Sequence, residues 1–311
     1  MASAIAFHEL ASPHLPSPVP YAVLAPEASA PLPLCVFLLG AGGARENLVD
    51  LQPVFDGWWN EGLLPPMAIV VPTPGPDYYR WDELLAGDLI PRVRAEFQAN
   101  ETVVLAGISG GGYGALKLAF ARPEMFAAVA VMQPMLEPGL RESDVGARNR
   151  LHHVAVPPPD AAVWEANNPA NRARTNTQAI RDSGMAIYID AAGRDFLNAH
   201  DGAEFLHRTL WDLDLAHEYH LVREADHGGP TMRPRMRAMF AWIAAVLRPP
   251  VADPAVEEAA AAWLGSGMQG KPPAGATTSD AFIRFMRARF EPLREKAAQT
   301  DPTVKCRYGV V

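Results

Sequence analysis

The sequence predicts an α/β protein built on a mostly parallel central sheet with helices on both faces. Three observations predict it. Short apolar runs recur along the chain, several of them continuous, as in strands covered on both faces. Helix-length amphipathic stretches lie between these runs. Interleaved strand and helix signals favour parallel pairing through right-handed crossovers.

In chain order, "YAVLAP" (21–26) reads as an antiparallel edge strand. "PLCVFLLG" (33–40) and "MAIVVPT" (67–73) read as buried strands, and 83–97 as an amphipathic helix. "TVVLAGI" (102–108) and "AAVAVMQP" (127–134) continue the sheet. Residues 135–184 are Pro-rich with weak periodicity, which predicts a loop-rich insertion near the active site. "MAIYIDAAG" (185–193) and "HEYHLVREA" (217–225) are further strands, separated by a helix over 203–214. In 233–248, Met236, Met239, Phe240, Ile243 and Leu247 form one helical stripe, which closes a catalytic unit at 1–248.

Residues 249–278 are rich in Pro, Gly and Ala and predict a linker. Residues 279–311 predict a helical arm with Ser279 as N-cap and Pro292 ending or kinking the helix. The stripe Phe282, Phe285, Met286, Phe290 and Leu293 is too apolar to remain in water. Docked across a two-fold axis, it would make a homodimer.

Composition narrows the function classes. The chain has 311 residues, 49% hydrophobic and 20% charged, an ordinary globular balance. A net charge of -8 argues against nucleic acid as a partner. No apolar run approaches the ~20 residues needed to span a bilayer. "MASAIAFHEL" lacks the basic start and apolar run of a signal peptide. The two cysteines, Cys35 and Cys306, make no disulfide framework. A cytoplasmic location is expected.

"VVLAGISGGGYGALKLAF" (103–120) concentrates glycines around one serine. It contains Gly107-Ile108-Ser109-Gly110-Gly111, a G-x-S-x-G between a strand pattern and a helix pattern, as a nucleophile elbow requires. There is no G-K-[ST] and no G-x-G-x-x-G, so a phosphate loop is disfavoured. A serine nucleophile needs a histidine base oriented by a carboxylate, in the chain order Ser, Asp or Glu, His. His227 follows the last strand in "EADHGGP", whereas His217 and His220 fall inside a strand and His207 inside a helix. Asp195, just past the Gly193 turn, is favoured as the acid over Asp190 at the strand end. Oxyanion donors are expected from the amides of Gly110 and, in the "LLGAGG" loop (38–43), Ala41. Loops at the strand ends offer Tyr78, Tyr79, Trp81, Trp164, Met135 and Phe196 as substrate-binding residues. His152-His153 lacks metal-ligand spacing, and no metal or cofactor is expected.

With these residues assembled, the chain resembles the putative-esterase family of α/β-hydrolases, which includes esterase D-type S-formylglutathione hydrolases, feruloyl esterases and mycolyltransferases. The likeness covers roughly residues 20–248. "FLLGAGGARENL" is similar to the family's oxyanion loop and "GISGGGYGAL" to its elbow, while "GRDF" and "ADHGGP" occupy the acid and base positions. Leu39 stands where many members have His, and Ile108 and Gly110 replace the common His and Met. These departures bear on glutathione-thioester specificity more than on fold or triad. The resemblance implies a serine carboxylesterase acting on small or medium esters through an acyl-enzyme. The alternatives are an acyltransferase or thioesterase on the same triad. A non-catalytic hydrolase-like binding protein would carry a degenerate triad, whereas all three members are present here.

Overall fold

The structure, a computed structural model, describes residues 2–73, 81–150 and 158–300. The chain forms two compact units, Met1–Arg248 and Pro249–Val311.

The first unit is built on eight strands: β1 Ser3–Leu10, β2 Val19–Pro26, β3 Leu32–Leu38, β4 Ala68–Pro72, β5 Ala99–Ile108, β6 Ala128–Met132, β7 Ala186–Ala192 and β8 Glu218–Val222. Their order in the sheet is β1-β2-β4-β3-β5-β6-β7-β8. β1–β2 and β2–β4 pair antiparallel, and all other neighbours pair parallel. This is the α/β-hydrolase arrangement. The interior strands β4 and β6 are buried at every position, which is why they read as continuous apolar runs.

The expected edge strand at 21–26 is not the edge. β1 covers it in a register running from Ser3↔Pro26 to Leu10↔Val19. Burial in β1 alternates between intermediate and exposed, so no apolar run marks it.

Two cores sandwich the sheet. On one face, helices Asn47–Asn60 and Met232–Leu247 bring Phe55 and Phe240 together edge to face, with centroids 5.0 Å apart, and Phe37 of β3 joins them. On the other face, helix Gly110–Ala121 is buried at every position but its last. Lys117 of that helix is fully buried and ion-pairs with Asp82 at 3.1 Å. Arg172 reaches the other oxygen of Asp82 at 2.6 Å, so one carboxylate holds two cations from separate elements. The expected helix at 83–97 is present, with a π-helical stretch, Leu84–Leu89, leading into Ile90–Glu96.

The 135–184 insertion is not loop-rich throughout. Helices Ala161–Asn167, Pro169–Thr175 and Thr177–Ser183 fill its second half. Asp160 and Asn168 cap the first two through bonds of 2.8 Å to the amides of Val163 and Ala170. Asn side chains also bond main-chain carbonyls, Asn168 that of Gly139 in a loop and Asn176 that of Phe120 at the end of Gly110–Ala121. Pro169–Thr175 packs against Gly110–Ala121 and against helix Ala199–Asp212. The insertion therefore thickens that side of the sheet.

In the second unit, the expected linker at 249–278 contains a helix, Pro254–Gly265. Asp253 caps it by accepting from Ala255 N at 2.9 Å, and Pro254 opens its first turn. The Ala and Glu that follow are strong helix formers, and they outweigh the Pro and Gly in the segment. A second helix, Asp280–Thr300, runs on through Pro292. Proline removes one amide donor, and the Arg, Glu, Lys and Ala around it sustain the helix. Its start is capped twice: Ser279 Oγ accepts from Phe282 N, and the Glu257 carboxylate accepts from Asp280 N and Ala281 N. Of the expected stripe, Phe282, Phe285 and Met286 are half-buried, and Phe290 and Leu293 are exposed. Among the described residues, no helix is long and apolar enough to cross a membrane.

Candidate active site

Ser109 occupies the turn between β5 and helix Gly110–Ala121 with φ 56 and ψ -123. Such a conformation is strained for a side-chain-bearing residue, and it places Ser109 at the carboxyl end of an interior strand. The neighbouring glycines allow the close approach this requires. A Cβ on Gly111 would lie 2.0 Å from the Leu38 carbonyl oxygen, and one on Gly107 would lie 2.5 Å from that of Gly111. The turn is tied down by Ser109 N donating to Met132 O at 3.1 Å and Met135 N donating to Ser109 O at 2.9 Å.

His227 sits in the loop after β8. Its Nε2 lies 2.9 Å from Ser109 Oγ, and its Nδ1 lies 2.7 Å from Asp195 Oδ2. A carboxylate only accepts, so Nδ1 carries the proton and the Nε2 lone pair faces the hydroxyl. The Asp195 side chain is fully buried. Burial pushes its carboxyl up, but hydrogen bonding and charge from His227 and the amides of Leu197 and Ala199 outweigh this, holding it below the usual carboxylate range. Asp226, next to the histidine, has its own task. Its Oδ1 accepts from His227 N at 2.7 Å and from Phe196 N at 2.9 Å, bridging the acid and base loops.

Gly110 is the first residue of its helix, so its amide has no intrahelical acceptor and sits at the positive end of the helix dipole. The loop after β3 approaches from the other side, where a Cβ on Gly40 would lie 2.8 Å from that of Ser109. Ala41 lines the same cleft as Ser109 and His227.

That cleft has a volume of about 630 Å³. Leu39, Leu51, Met232 and Met236 give it apolar walls, and Asp50 and Arg233 stand on its exposed rim. None of these residues was singled out from sequence as a pocket residue. Leu39 follows β3 directly, and the others come from the starts of helices Asn47–Asn60 and Met232–Leu247, which only the sheet topology brings to the serine. The helical stripe containing Met236 was the available signal.

The aromatic residues expected to bind substrate fare differently. Tyr78 and Tyr79 lie outside the described residues. Trp81 is 2% exposed and packs into the hydrophobic core. Trp164 and Met135 line a separate cavity of about 10 Å³, where Trp164 Nε1 donates to Glu137 at 2.7 Å. Their large apolar surfaces serve the packing of the insertion. No described residue of 135–184 lines the Ser109 cleft. Phe196 is 67% exposed and stands edge-on to His227, with centroids 5.7 Å apart. Among the described residues, no group of three His, Cys, Asp or Glu side chains could hold a metal ion.

This sheet, with a serine at the β5–helix turn and a histidine and carboxylate after later strands, defines an α/β-hydrolase. The family model described as "Putative esterase" matches residues 53–243. The chain belongs to that family and is an ester-hydrolysing enzyme. Solved structures share the fold. A ferulic acid esterase is similar over 79% of this chain and 100% of its own, with a TM-score of 0.65 at 16% identity. A fluorophosphonate-binding serine hydrolase of Staphylococcus aureus is similar over 78% and 98%, with a TM-score of 0.62 at 17% identity. An S-formylglutathione hydrolase from Agrobacterium tumefaciens is similar over 79% and 95%, with a TM-score of 0.60 at 18% identity. No curated protein matches the chain in sequence.

Proposed function

We propose that the enzyme is a serine carboxylesterase acting on esters of apolar, medium-sized acyl groups, with Ser109 as nucleophile, His227 as general base and Asp195 as its orienting acid. The observation that carries this reading is the unbroken hydrogen-bond line Ser109–His227–Asp195, at 2.9 and 2.7 Å, opening into an apolar cleft.

Ser109 Oγ attacks the ester carbonyl carbon while its proton passes to His227 Nε2. The carbonyl oxygen becomes an oxyanion, received by the amides of Gly110 and Ala41. Asp195, ionised and desolvated, stabilises the imidazolium without taking its proton. The imidazolium then protonates the departing alkoxide, and the alcohol leaves an acyl-Ser109. Water, deprotonated by His227, attacks the acyl carbon, and collapse of the second tetrahedral intermediate releases the carboxylic acid and returns the proton to Ser109.

The walls of Leu39, Leu51, Met232 and Met236 support an alkyl or aryl acyl group more than a formyl group. The cleft is open, and Phe196 beside the histidine is largely exposed, which supports water over a second alcohol as acceptor. The test is a series of p-nitrophenyl esters from acetate to decanoate, run on the wild type and Ser109→Ala. The expected result is a kcat/KM that rises from acetyl to a medium chain, with turnover abolished by the substitution. A series that falls steadily from acetyl would contradict the acyl assignment.

A further inference from the structure

We propose that Gln133 and Arg235, with Asp190 as counter-ion, are positioning residues that hold the peptide backbone of the His227 loop from below. The proposal rests on His227 acting as the base, and its test separates the two claims.

The loop at 226–227 is not in regular secondary structure, so side chains must satisfy its backbone polar groups. Gln133 Nε2 donates to the His227 carbonyl and also contacts Met232 Sδ at 3.2 Å. Arg235 Nη1 donates to the Asp226 carbonyl at 3.1 Å and to Gln133 Oε1 at 2.7 Å. Asp226 Oδ1 takes the His227 amide. The carbonyls and the amide around the histidine are thus all held, and Ser109 and Asp195 supply none of these bonds.

The support is itself rigid. Gln133 is 1% exposed and sits directly after β6 with a φ of 42, an uncommon conformation for a residue with a Cβ. Its amide donates to the Asp190 carbonyl of β7 at 2.6 Å. Arg235, in the first turn of Met232–Leu247, is 4% exposed. Its Nε donates to Asp190 Oδ1 at 2.9 Å, and Nη2 contacts the same oxygen. Asp190, whose place at the strand end made it the alternative acid, thus serves the guanidinium. β6, β7 and the helix after β8 meet at one buried node beneath the histidine.

Gln133 lines the same cleft as Ser109, but the side-chain hydrogen bonds of the node run to the His227 loop and to one another rather than to Ser109, so its effect on the reaction is expected to pass through His227. Gln133→Met keeps the shape of the side chain and removes the amide that holds the His227 carbonyl. The expected result is a fall in kcat of roughly ten- to a hundredfold, from a misplaced imidazole, with KM within about twofold and an unchanged melting temperature. In a His227→Ala background, the same substitution is expected to change the residual rate by less than about twofold, because residues acting as one unit do not lose activity additively. Arg235→Lys retains a cation for Asp190 but lacks the fork that reaches Gln133 Oε1 and the Asp226 carbonyl together. It is expected to show the same kcat-only loss. An equal loss in both backgrounds, a rise in KM with kcat intact, or no loss from either substitution would overturn the positioning role. If His227→Ala alone left kcat at the wild-type level, the assignment of the base would fall, and the positioning role with it.

Discussion

Asp190 and Asp195 are both buried, one near the end of β7 and the other in the loop that follows, yet the proposed mechanism gives them opposite work. Asp195 faces an imidazole, Asp190 a guanidinium. An imidazole can give up its charge, whereas a guanidinium cannot. The Asp195–His227 pair can therefore exchange charge with a third group, Ser109, as proton transfer requires. The Asp190–Arg235 pair is locked, which suits a support. Burial alone does not separate a catalytic carboxylate from a structural one; the protonation freedom of its partner does.

The sharpest way to break this comparison is to truncate each carboxylate. Asp195→Ala is expected to lower kcat by about 10³-fold or more, through loss of the imidazole's tautomer and orientation, with little loss of fold. Asp190→Ala strands the Arg235 guanidinium in the interior and is expected to cost about 3 kcal/mol of stability. Steady-state kinetics and urea unfolding on both variants test the split, and a reversed pattern would exchange the two roles.

Acidification probes the same difference. Asp195 is held below the usual carboxylate range. Its stabilising contribution is full above the unfolded aspartate value, about 4, and disappears only as the pH drops through its own lower value. The loss of stability from this carboxylate is therefore expected below the ordinary aspartate range. Unfolding measurements on the wild type and Asp195→Asn down the acid limb check where that loss falls.

Smaller effects compare the cleft with the small cavity beside the insertion. Met236→Ala widens the cleft and is expected to raise KM for a medium-chain ester several-fold, with acetate affected less. Trp164→Phe loses the bond to Glu137 and is expected to cost about 1 kcal/mol of stability, with kcat/KM within about twofold. A large kinetic effect from Trp164→Phe would return that residue to the substrate path.

The same contrast explains what was legible in the sequence. The interior strands were readable because burial on both faces leaves continuous apolar runs. Ser109, Asp195 and His227 were nameable because an elbow fixes its glycines and topology fixes the chain order of its partners; the structure brings these three side chains together. β1 was illegible because an edge strand needs no apolar run. The cleft walls other than Leu39 were illegible because they come from two helices distant in sequence, and residue type points the wrong way. Trp81 and Trp164 look like binding aromatics, but large rings are equally suited to a core, and only the packing decides. The helix Pro254–Gly265 was hidden behind composition, although Asp253-Pro254 is a start signal that could have found it.

The central claim is that Ser109 carries the acyl group. The most direct measurement is intact-mass and peptide mapping after reaction with a small fluorophosphonate, on the wild type, Ser109→Ala and His227→Ala. The account predicts one adduct on the wild type, mapped to Ser109, none on Ser109→Ala, and much slower labelling of His227→Ala. An adduct at another residue, or undiminished labelling of Ser109→Ala, would contradict it.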